Sequence, residues 1–85
     1  MRKVQSHSEL TEINEQGEGY VVNDRPDRPM LHQAKCEALE AMTRKYDKLF
    51  FEKLTEAMKW SDKKYGTNGW EVCGRCRADQ LDGVA

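Results

Sequence analysis

The chain has 85 residues, 38% of them hydrophobic and 34% charged, and a formal net charge of −1. That length allows one small domain near the lower limit of independent stability. The balanced charge, with no basic stripe, makes nucleic acid an unfavoured partner. No apolar run is long enough for a membrane span or a signal peptide, so the expectation is a cytoplasmic protein without membrane contact.

Residues 1–23 carry weak strand signals, strongest at G-Y-V-V-N (19–23), after the turn-like N-E-Q-G-E-G (14–19). S-H-S-E (6–9) fits a capping box, so a helix over 7–15 competes with a strand there. The tandem D-R-P-D-R-P (24–29) reads as a stiff, extended connector, because the residue before each proline is held out of the helical region. Arg25 and Arg28 are either solvated there or free to grip an anionic group on a partner.

From Met30 to Tyr65 there is neither Gly nor Pro, and the composition favours helix. Apolar residues recur at helical spacing: Leu31, Ala34, Ala38, Met42, Tyr46, Leu49, Phe50, Leu54, Ala57 and Trp60. Lys63 and Lys64 suit a helix C-terminus, and Gly66 is placed for a left-handed cap. The pattern predicts one amphipathic helix over 30–65, a rod about 52 Å long with Asp47 inside it. Phe51 points away from its apolar face. A hairpin broken near T-R-K-Y-D-K (43–48), with Asp47 capping a second helix, is the competing reading.

The tail carries W-E-V-C-G-R-C-R (70–77), preceded by the turn signal N-G (68–69). Three cysteines, with Cys73 and Cys76 too close together to staple distant segments, argue against a secreted disulfide scaffold. A C-G-x-C after a short strand suits a zinc knuckle, in which the glycine lets the chain turn both sulfurs toward one ion. Two cysteines supply half a tetrahedral shell. His32 and Cys36, four residues apart, are the other candidates, and together the four make a Cys3His set. A continuous helix places Cys36 about 44 Å of axis from Tyr65. Residues 66–72 reach at most about 25 Å. The four-ligand site therefore requires a broken helix or an antiparallel dimer. The plain alternative is a buried thiol at Cys36 and a surface histidine at 32.

The same run is locally similar to the active-site run of thioredoxins, where a C-x-x-C opens a helix that activates the first thiol. Thioredoxins need a βαβ scaffold around that motif. No such pattern surrounds it here, and no family is assigned. Phosphate loops and nucleophile elbows are missing as well.

The expected fold is mainly α, a single small domain. It comprises an N-terminal β or mixed segment (1–23), the connector (24–29), the long helix (30–65) and a C-x-x-C tail (66–85). The expected function is non-enzymatic: an adaptor, regulator or inhibitor binding a protein partner or a second copy. Its contact face would be Leu31, Met42, Tyr46, Leu49, Phe50, Leu54 and Trp60. The alternative is a small zinc-binding regulatory protein that would touch nucleic acid through Arg75, Arg77 and nearby lysines. A thiol redox protein is third.

Overall fold

The computed structural model describes residues 1–27, 29–37, 39 and 46–76, and it places a helix at the ambiguous N-terminus. Helix α1 (His7–Gln16) starts because Ser6 is extended and its Oγ accepts the Glu9 N–H at 3.1 Å. Glu9 reaches back to accept the Gln5 N–H at 2.7 Å, the reciprocal half of a capping box displaced by one residue. Gly17 ends the helix in the left-handed region at φ 73°, and its N–H donates to the Ile13 carbonyl. A two-residue strand, β1 (Arg2–Lys3), precedes α1.

The strand expected over 19–23 forms as β2 (Tyr20–Asp24). It pairs antiparallel with β3 (Met30–Gln33) across the proline-rich connector and with β4 (Asp47–Phe51) on its other side. β1 lies outside β4, and β5 (Glu71–Val72) runs parallel to β3 at the opposite edge. Among the described residues the result is a five-stranded mixed sheet in the order β1-β4-β2-β3-β5.

Adjacent strand residues point to opposite faces, and this chain covers both. Val21 packs with Leu10 and Ile13 of α1, whereas Val22, Leu31, Leu49 and Phe51 pack with Ala57 of α2 (Leu54–Tyr65). Trp60 extends that second layer, its ring 5.9 Å from the Phe51 ring. Ser61 is fully buried there, and its hydroxyl donates to the Ala57 carbonyl at 2.9 Å. Among the described residues, no helix is long and apolar enough to cross a membrane.

The mainly α fold with one helix over 30–65 is therefore corrected. Met30–Gln33 and Asp47–Phe51 are strands, and among the described residues of that stretch the α-helix is α2 (Leu54–Tyr65). Asp47 is the first residue of β4, so it neither continues a helix nor caps one. The physical reason is double coverage. Leu49, Phe50 and Phe51 are consecutive, and each finds an apolar layer because helices lie on both sheet faces. A strand covered on both faces reads as a continuous apolar run and gives no alternation to oppose a helical period. Phe51, expected to point away from the apolar face, is 2% exposed.

The end of α2 agrees in part with expectation. Lys63 and Lys64 occupy its last turn, but Gly66 closes it at φ 87°, ψ 160°, outside the left-handed helical region. Part of the chain expected to carry the interaction face and tail, residues 38, 40–45 and 77–85, lies outside the described residues, Met42 and Arg77 among them; Arg28 does too.

Candidate metal centre

The site follows from strand register. Leu31 sits opposite Val72 in the parallel β3–β5 pair. Leu31 and Val72 face α2, so the next residue of each strand, His32 and Cys73, turns to the other face. The Cys73 N–H donates to the Leu31 carbonyl at 2.9 Å and carries the ladder one step further. Cys36 follows a turn after β3, in which its N–H donates to the Gln33 carbonyl at 3.0 Å. Cys76 completes the turn after β5. The donor atoms of His32, Cys36, Cys73 and Cys76 all lie within 4.8 Å of one another.

The geometry suits a tetrahedral ion. The Cys36 and Cys73 sulfurs are 3.9 Å apart. Two sulfurs each 2.3 Å from one tetrahedral centre stand about 3.8 Å apart, whereas a disulfide needs about 2.05 Å. All three cysteines are thiols. His32, Cys36 and Cys73 are each less than 5% exposed, and Cys76 is half-buried. The buried Nδ1 of His32 has no hydrogen-bond partner. A buried polar atom in that state costs free energy, and a bound cation would satisfy it. This cluster could hold a metal ion.

The electrostatics are consistent with that use. Burial opposes ionisation of Cys73, but N–H groups of Arg75 and Cys76 and the thiols of Cys36 and Cys76 outweigh it and bring the thiol below its ordinary value. Burial and the neighbouring Cys73 push Cys76 up, although the Gln33 N–H donates to its sulfur at 3.3 Å. Two adjacent thiolates repel, and a divalent cation between them removes that penalty. Burial lowers the His32 pKa from 6.5 to about 4, so the imidazole is neutral and ligand-ready at pH 7.

That depression sets a pH dependence for the metal-free protein. The unfolded chain takes up the proton near pH 6.5, and the folded chain only near 4. Stability contributed by neutral His32 is complete above 6.5 and falls as pH drops toward 4, by up to about 1.4 kcal/mol per unit. Urea denaturation of metal-free protein should show a lower midpoint at pH 5 than at pH 7. His32→Gln should shrink the difference.

Two further residues shape the site. The Asn14 amide on α1 donates to the carbonyls of Ala34 and Cys36, both at 2.9 Å, and fixes the loop that carries Cys36. Gln33 holds the other strand, with its side-chain amide donating to the Cys76 carbonyl at 2.5 Å. Sequence reasoning passed over both. Asn14 offered one signal, a poor helix former in a helix interior. Groups that position metal ligands are typically worth about 10–100-fold in metal affinity. If the cluster holds an ion, Asn14→Ala should weaken its binding by that factor in a chelator competition while leaving the number of ions bound unchanged. Gly74 plays a smaller part than the sequence suggested. Its φ is not positive, and a Cβ there would meet nothing within 4 Å.

The four sequence-predicted metal ligands thus meet within one chain, with no second copy required. The predicted interaction residues do not share a face. Leu31 and Leu49 are buried on the α2 side of the sheet, where Leu54 and Trp60 also pack. Phe50 packs on the α1 side, and Tyr46 is half-buried just before β4. Comparison with protein families, curated proteins and solved structures finds no match to this chain.

Proposed function

We propose that this is a small, non-enzymatic zinc-binding protein in which His32, Cys36, Cys73 and Cys76 form a structural Cys3His centre. The observation that carries the reading is the convergence of four donor atoms within 4.8 Å, three of the residues being buried. Three thiols and one imidazole favour zinc over the hard, oxygen-seeking cations. Four protein donors fill a tetrahedral shell and leave no position for a reacting water, which is the arrangement of a structural rather than a catalytic ion.

The centre acts as a staple. β5 is two residues long, and among the described residues its strand pairing is to β3, so the ion adds a second tie to a short ladder. Below about 80 residues of core-forming chain, such a staple is a common source of stability. Thiols kept as ligands suit a reducing compartment such as the cytoplasm. The protein works by binding, and a protein partner is favoured over nucleic acid. The net charge is −1, and Arg75 lies 3.6 Å from the Glu37 carboxylate.

Native mass spectrometry of protein purified under reducing conditions without chelator tests the reading. The expected mass is that of the chain plus one zinc ion. Protein folded but free of stoichiometric metal would overturn it.

A further inference from the structure

The four donors are unequally protected. His32, Cys36 and Cys73 are buried, while Cys76 is half-buried. An open cleft of about 490 Å³ lies over the site, lined by Gln33, Lys35, Cys36, Glu37, Arg75 and Cys76. Cys73 and His32 do not line it. A small solute arriving from solvent therefore meets Cys76 before the buried Cys73, beside Lys35 and the Arg75–Glu37 ion pair.

We infer that Cys76 is a peroxide-reactive site whose oxidation to a Cys73–Cys76 disulfide ejects the metal, making the centre a reversible redox release switch. The inference rests on the zinc reading and concerns its regulation. In the first step Cys76, deprotonated as a zinc ligand, attacks one oxygen of hydrogen peroxide. An S–O bond forms, the O–O bond breaks, and hydroxide leaves to become water. The oxygen then points into the cleft. Cys73, on the inner side, attacks the Cys76 sulfur opposite that oxygen. The S–S bond forms, the S–O bond breaks, and a second hydroxide leaves and takes a proton. Two thiolates lose two electrons, the peroxide gains them, two protons are consumed and two waters form. Zinc is not itself oxidised. It is left with His32 and Cys36 as donors, half a shell, and dissociates.

Cys36 lines the same cleft, but it sits in the turn after β3, a segment distant in the chain. The two sulfurs that join are also the pair separated by only two residues. Their bond closes a local loop and leaves the tail free to detach from β3.

The test uses the zinc-loaded chain. Hydrogen peroxide is titrated in while a zinc-sensitive dye reports release, and the bond is located by mass mapping without reduction. The expected result is one zinc ion released per disulfide, the bond mapping to Cys73 and Cys76, with dithiothreitol restoring thiols and zinc binding. Cys76→His keeps four donors as a Cys2His2 set and should hold zinc through the same titration. Should that variant fail to bind zinc, the wild-type mapping decides alone. Zinc retained under excess peroxide, or a bond that maps to Cys36, would overturn the inference and leave the zinc reading standing. A chain isolated without zinc would overturn the zinc reading itself, and the inference with it.

Discussion

Cys73→Ser should contain no stoichiometric zinc and should lose a large part of its folded stability. Cys73 is 4% exposed and lies 3.9 Å from the Cys36 sulfur, at the point where the β3–β5 ladder ends. Serine keeps the shape but lacks the thiolate that zinc prefers. Structural zinc in small domains contributes about 10–16 kcal/mol of apparent binding free energy. The whole stability of a domain is about 5–15 kcal/mol. Losing even part of the metal term is therefore decisive. Thermal denaturation followed at tryptophan is the direct measurement, because Trp70 lies beside β5 and its indole N–H donates to Asp62 at 2.7 Å. The variant should melt well below the wild type, and chelator should have little further effect on it. A variant with unchanged zinc content and midpoint would remove the centre from the account.

Phe51→Ala should destabilise the protein by about 3–5 kcal/mol, the usual cost of emptying a buried aromatic site. Phe51 is 2% exposed and joins Val22, Leu31, Leu49 and Ala57 in the layer under α2. Its ring meets Trp60 at 5.9 Å, so the substitution also deprives α2 of an aromatic contact. Urea denaturation of the zinc-loaded protein gives the difference directly. A cost below about 1 kcal/mol would mean that Phe51 is a surface residue, as the helical reading of 30–65 implied.

The local signals in the sequence were legible where the physics is local. Ser6 and Glu9 mark the start of α1 by their own hydrogen bonds. Tyr20, Val21 and Val22 form a strand wherever they are covered. Lys63, Lys64 and Gly66 mark the end of α2. The strands β3 and β4 were not legible, because their residues satisfy a helical period as well as a buried strand. The choice between the two is made by α1 and α2, which cover opposite faces of the sheet, and single-sequence periodicity does not carry that information.

The four candidate ligands are legible by residue type but not by arrangement. A helix over 30–65 would make His32 and Cys36 neighbours one turn apart, but His32 lies in β3 and Cys36 follows in a turn. They converge instead because β3 ends at Gln33 and the chain turns back at once toward Cys36. A rod of about 52 Å would keep residues 66–72 from reaching Cys36, but β4 and α2 stand where its second half would run. Those two elements return the chain so that β5 lies beside β3, and His32 and Cys73 then share a sheet face. Asn14 and Gln33 escaped notice because their roles are hydrogen bonds to carbonyls far away in sequence.

X-ray absorption at the zinc edge on the native protein tests the central claim most directly. The account predicts a four-coordinate first shell with three sulfurs at about 2.3 Å and one imidazole nitrogen at about 2.0–2.1 Å. A shell dominated by oxygen and nitrogen, or one with only two sulfurs, would contradict it.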